Sequence, residues 1–155
     1  MIKFKLEIID KLCLDDIALE NVKANIFIEQ DEKIFFYVVY INDLFIRFSE
    51  WSKNEKIEDF IFDDIIDCDS IFEINRIKDE NYRFLGFEGT VFHIQDIDIF
   101  CRNFIEAIKE AYFSLGKDGE EYYNELTEVR IEYLDWRKEE YNTCKYIGGK
   151  KWSVL

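Results

Sequence analysis

The chain predicts an α+β domain, with a mostly antiparallel sheet in the N-terminal two-thirds and two amphipathic helices packed on it. Three observations carry this prediction. Period-2 alternation of apolar and polar residues recurs through residues 2–94, and the apolar spacing changes to three and four residues beyond Asp96. No repeat, linker or low-complexity tract divides the 155 residues, so 1–155 reads as a single domain. Strands that precede helices in this way favour helices packed on an antiparallel sheet.

The elements follow in order. Lys3, Lys5 and Glu7 alternate with Ile2, Phe4, Leu6 and Ile8, the pattern of a half-buried strand. ANIFIEQ and KIFFYVVYI flank Asp31-Glu32, which predicts two further strands joined by a tight turn. The second of these is apolar on both faces, so a cover is expected on each side. VVYI-ND-LFIRF carries the strongest hairpin signal, because Asn42 tolerates positive φ and the two-residue spacing suits a primed turn. Residues 57–66 fit neither period: helical spacing draws Asp64 in with Ile57, Phe60, Ile61 and Ile65, and strand spacing sets it beside Phe60 and Phe62. IFEINRIK and NYRFLGFEG read as strands around a Lys78–Asn81 turn, and TVFHI adds another.

Over 97–115, Phe100, Phe104, Ile108, Ala111 and Leu115 define one apolar helix face, with Asp96 or Asp98 as N-cap and Gly116 as the stop. Over 120–141, Tyr122, Leu126, Val129, Tyr133 and Trp136 are spaced four, three, four and three, which predicts the second helix. CKYI-GG-KKWSVL has the pattern of a terminal hairpin or of a loose tail.

Composition bounds the function. The 15 Phe, 9 Tyr and 3 Trp supply a substantial core and argue against disorder. Twenty basic residues against 34 acidic give a net charge of −14, a field that repels phosphate backbones and anionic lipid. Direct nucleic-acid and membrane binding are therefore disfavoured, and a basic protein partner is favoured. Cys13, Cys68, Cys101 and Cys144 form no CxxC, the start MIKFKLEIID lacks an apolar signal core, and no apolar run has spanning length. Reduced thiols in a cytoplasmic protein are expected.

The chemical motifs fail one by one. An EF-hand loop begun at Asp67 would place Phe72 where glycine is needed and Lys78 where glutamate is needed. One histidine and four scattered cysteines give no zinc spacing. His93 and Cys101 can be drawn as a nucleophile pair, but the thiol falls on the apolar face of a helix, where burial makes it inert. No P-loop, GxGxxG or GxSxG is present. No cofactor or metal is expected, and binding is favoured over catalysis.

Two acidic stretches remain. IEDFIFDDIIDCDSIF carries Asp59, Asp63, Asp64, Asp67 and Asp69 among large apolar side chains, with no base inside the stretch. These acids are expected on a solvated or partner-facing loop, because unpaired carboxylates are too costly to bury. In the second helix, Glu121, Glu125, Glu128, Glu132, Asp135 and Glu139 are spaced four, three, four, three and four, lining one flank as an anionic ridge or an ordinary wet face. Trp51 and Trp136 are the expected aromatic anchors of an interface.

The order YINDLFIRFSEW, an acidic connection, RFLGFEG and the amphipathic FCRNFIEAIKEAYFSL, in a small, acidic, aromatic-rich chain, resembles the immunity proteins encoded beside bacterial polymorphic or contact-dependent toxins. The resemblance spans residues 24–115 and is one of layout. It implies a cytosolic non-enzyme that binds one cognate toxin domain, often a nuclease, and blocks its active site or substrate groove. It carries no functional residue over to this chain. Two other readings are a nucleic-acid mimic occupying the groove of a DNA-binding enzyme, and a carboxylate- or metal-dependent hydrolase.

Overall fold

Two hairpin-built sheets share one aromatic core in the computed structural model, which describes residues 2–9, 19–53, 58–63, 70–78 and 81–126. The first sheet holds β1 (Lys3–Ile8), β2 (Lys23–Gln30) and β3 (Lys33–Tyr40) in that order, all antiparallel. The second holds β4 (Phe60–Asp63), β5 (Ser70–Lys78), β6 (Asn81–Gly86) and β7 (Val91–Ile94), again antiparallel and in chain order. Helix α1 (Ile41–Lys53) runs between the sheets in sequence, α2 (Ile97–Phe113) follows β7, and α3 covers residues 117–126. The expected α+β class holds, with the strands divided between two sheets and a third helix added.

That added helix corrects the hairpin expected at Asn42-Asp43. Tyr40 ends β3 and Ile41 begins α1 without a turn. Ile41, Leu44, Phe45, Phe48 and Trp51 recur at helical spacing and are all buried, so burial on a helix outweighed the turn preference of Asn-Asp. The primed turn lies instead at Asp31-Glu32, where both central residues have positive φ, 50° and 68°. Residues 57–66 resolve in part: 60–63 is strand, with a register shift between Phe62 and Asp63, and 64–66 lie outside the described residues.

The strands expected over 71–78, 81–89 and 90–94 are present as Ser70–Lys78, Asn81–Gly86 and Val91–Ile94, with residues 87–89 in a turn. Helix α2 starts at the expected cap: the Asp96 carboxylate accepts from the backbone N–H groups of Asp98 and Ile99. Beyond its end, Gly116 adopts φ 85°, a conformation open to glycine at little cost. The second helix begins at 117; its expected remainder to 141 lies outside the described residues, as does CKYI-GG-KKWSVL.

Aromatic rings join the layers. Phe48 of α1 lies 4.6 Å from Phe104 of α2 and 5.4 Å from Phe60 of β4, centroid to centroid. Phe35 of β3 meets Phe84 of the second sheet edge-to-face at 5.0 Å. Gly86 permits this approach, since a Cβ there would come within 2.6 Å of the Phe35 ring. Each fully buried ring contributes roughly 1.5–3 kcal/mol of transfer free energy, so this network dominates stability. A polar tie adds to it: the Gln30 carboxamide donates to the His93 carbonyl at 3.0 Å and accepts from the His93 N–H at 3.1 Å. Gln30 thus takes the place of a neighbouring strand beside β7, an edge of the second sheet.

The expectation that both faces of β3 are covered is met on one face only. Phe35 and Val39 are buried, whereas Ile34, Phe36, Val38 and Tyr40 are 57%, 47%, 41% and 41% exposed.

Candidate protein-binding surface

The acidic stretch 57–72 divides into a buried part and an outer part. Asp63 is 1% exposed and receives a charge-assisted hydrogen bond from the Arg47 guanidinium of α1. Arg47 also donates to the Ile61 carbonyl, lies 3.9 Å from Asp43 one turn earlier, and sits over the Phe62 ring at 5.2 Å. Asp63 therefore belongs to the interior and not to a docking loop. The base that neutralises it lies 16 residues upstream. Asp59 is half-buried and accepts from the Arg76 backbone N–H at 3.3 Å. Asp64, Asp67 and Asp69 lie outside the described residues.

Trp51 is also corrected. It is 8% exposed, packs at a tilt against Phe48 and Phe60, and donates its indole N–H to the Glu58 carbonyl at 2.9 Å. Its ring fastens the chain entering β4 to α1, so it is not available as an interface anchor. Trp136, Glu128, Glu132, Asp135 and Glu139 lie outside the described residues.

Glu121 and Glu125 are exposed, as the ridge requires. Their direction is set from beneath. Leu126 is fully buried, Tyr123 packs on Phe45 at 5.1 Å, and the Tyr122 hydroxyl donates to the Asn42 side chain at 3.0 Å. With those three turned inward, Glu121 and Glu125 face water. Lys117 approaches Glu121 at 3.9 Å, a weak exposed pair.

No protein-family model matches the chain, and no curated protein or solved structure matches it either.

The acidic ridge does not stand alone. Asp98, Glu106 and Glu110 of α2 and Asp118, Glu120, Glu121 and Glu125 of α3 are all exposed; the bases on these two helices are Arg102, Lys109 and Lys117. Seven exposed carboxylates against three bases make this helical surface anionic. The α2 members lie outside the two acidic stretches, although Asp98, Glu106 and Glu110 fall on one four-residue repeat with Arg102 between them. The anionic field is felt inside the fold as well. Tyr123 has its phenol pKa raised, first by burial and then by the Glu106 carboxylate.

Among the described residues, no group of three or more His, Cys, Asp or Glu side chains is arranged to hold a metal ion. Cys101 is buried on α2, whereas His93 is exposed on β7. An open groove of about 460 Å³ runs between β1 and α2, with Ala107, Ala111 and Ser114 along its helical wall. Its charged members are Lys5, Glu7 and Glu110, and Lys5 is engaged with Glu7 at 2.7 Å. No described helix is long and apolar enough to cross a membrane.

Proposed function

We propose that the protein is a non-enzymatic binding module of the immunity type, a cytoplasmic protein that captures a basic toxin domain and occludes its working surface. The observation that carries this reading is the excess of exposed carboxylates on α2 and α3, seven against three bases. An array of fixed like charges raises the association rate with a cationic partner and rejects anionic ones. The rigid footing of α3 on Asn42, Phe45 and the core holds part of that array in place before the partner arrives, which lowers the ordering cost of binding.

Co-expression with candidate cationic toxin domains, taken from the genes that flank this chain's own, tests the reading. Cells carrying both chains grow, and cells carrying the toxin domain with a Glu110→Lys, Glu121→Lys, Glu125→Lys variant do not. Protection by that folded variant equal to the parent's would remove the α2–α3 face from the interface. A parent chain that neither protects nor binds would end the immunity reading.

A further inference from the structure

The uncovered face of β3 lies on the far side of the first sheet from α2, because α2 packs its Phe100 and Phe104 on Phe4, whose cross-strand row is Ile28 and Phe35, and Ile34, Phe36, Val38 and Tyr40 alternate to the other side. Edge strands in soluble proteins are ordinarily interrupted by lysine, proline or a bulge that prevents pairing with another chain. From Ile34 to Tyr40, β3 has none of these: its residues are IFFYVVY and its register with β2 is unbroken.

The register also tells which backbone groups of β3 have no strand partner among the described residues. Asp31-Glu32 is a two-residue primed turn, so the closing pair Gln30–Lys33 is a hydrogen-bonded pair and the pairs alternate from there. Ile28–Phe35, Ile26–Tyr37 and Ala24–Val39 are then bonded, and Glu29–Ile34, Phe27–Phe36, Asn25–Val38 and Lys23–Tyr40 are not. The same alternation places the backbone of Lys23 toward β1, where its carbonyl accepts from the Ile9 N–H at 3.0 Å. It follows that the N–H and C=O groups of Ile34, Phe36, Val38 and Tyr40 point away from the sheet. The four residues with exposed apolar side chains are those with outward backbone groups.

We infer that β3 is a dimerisation strand, and that its occupant is β3 of a second copy of this chain. Antiparallel pairing about a two-fold axis at Tyr37 engages all four outward residues, with Ile34 opposite Tyr40 and Phe36 opposite Val38 of the other copy. Charge favours a second copy here. The outward side chains of β1 and β2 are Lys3, Lys5, Glu7, Lys23, Asn25, Phe27 and Glu29, so this is a nearly balanced face on a chain of charge −14. In the paired sheet one row runs Lys23, Tyr40, Ile34 and Glu29, the last two from the second copy, and the next runs Asn25, Val38, Phe36 and Phe27. Each charged row thus ends in opposite signs, and the apolar rows lie between them. Phe87, 57% exposed and 5.1 Å from Tyr37, brings a further ring to the region of the axis on the opposite face.

The size is sufficient in outline. Four side chains exposed by two-fifths or more present on the order of 400 Å² of apolar surface, near the largest patch a monomer usually shows. That is about half of the roughly 800 Å² per partner in a standard interface, with backbone pairing and the flanking Phe27, Lys23 and Glu29 adding to it.

Sedimentation velocity of the full chain over a wide concentration range tests the inference through two variants. The parent sediments as a species of twice the 18.8 kDa chain mass, dissociating on dilution. Val38→Pro removes an N–H that points away from β2, so the fold tolerates it and dimerisation is lost. Phe36→Lys, a charge on the edge, weakens the dimer by at least an order of magnitude while the circular dichroism spectrum is retained. A parent that stays monomeric at every concentration overturns the proposal. So does a dimer that survives Val38→Pro, because it would be held by some surface other than the β3 edge. Both outcomes are independent of toxin binding, which is read from the α2–α3 face.

Discussion

The guanidinium of Arg47 and the carboxylate of Asp63 pair inside the protein, at 7% and 1% residue exposure, and this contact fastens α1 to the end of β4. An ion pair so buried is kept by geometry and by supporting hydrogen bonds, here the Ile61 carbonyl, since desolvation offsets most of its Coulomb attraction. Removal of one partner leaves the other charged and dry. Arg47→Met or Asp63→Leu alone is expected to destabilise by about 3–5 kcal/mol in urea unfolding, and the double variant to recover part of that loss, Asp43 being left beside the site. Additive losses in the double variant would show that the two groups act separately.

Tyr112 of α2 is fully buried against Tyr122 and Tyr123 of α3, and its hydroxyl has no hydrogen-bond partner among the described residues. A buried unmatched hydroxyl carries a desolvation penalty of about 1–3 kcal/mol, so Tyr112→Phe is expected to leave stability unchanged or raise it within that range.

The same phenol has its pKa raised well above its ordinary value of 10.0, first by burial and then by neighbouring Tyr122. The raised folded value means the unfolded chain releases this proton first. Its stabilisation is complete below the unfolded pKa and is lost as pH rises above it toward the folded value. Unfolding free energy should therefore fall with pH above about 10, and less steeply in Tyr112→Phe, as followed by denaturant titration in alkaline buffers.

At the β2–β3 turn, Glu32 holds φ 68° without the freedom of glycine. Left-handed backbone costs a residue with a Cβ roughly 1–2 kcal/mol, part of which glycine returns as unfolded-state entropy. Glu32→Gly is expected to raise thermal stability by roughly 1 kcal/mol. A loss of stability would mean that the Glu32 side chain supports the turn.

Much of this architecture is written locally. Alternation marks β1, the β2–β3 pair and β5 to β7, and the Asp96 cap with the Phe100–Phe104–Ile108 face marks α2. These signals are readable because each lies within one strand or a few helical turns. Helix α1 was hidden by its own composition. Asn42 and Asp43 are favoured turn residues, and only the recurrence of Ile41, Leu44, Phe45 and Phe48 on one face opposes them. Asp63 looked exposed because its base is supplied by a separate element, and nothing along the chain marks Arg47 as its neighbour. Trp51 looked like an anchor because large rings at interfaces and in cores are the same residues. The anionic surface was legible for Glu121 and Glu125, which repeat on one helix, and not for its extension onto Asp98, Glu106 and Glu110, which depends on how α2 packs.

We propose that carboxylates of α2 and α3 meet a basic partner, and stopped-flow association kinetics with a cationic domain that the chain captures in co-expression tests this most directly. For the parent chain the association rate should fall steeply as salt is raised. Glu110→Lys, Glu121→Lys, Glu125→Lys should slow association at low salt by about tenfold or more and flatten the salt dependence. An association rate unchanged by the reversal at every ionic strength, in a variant that remains folded, would contradict the account.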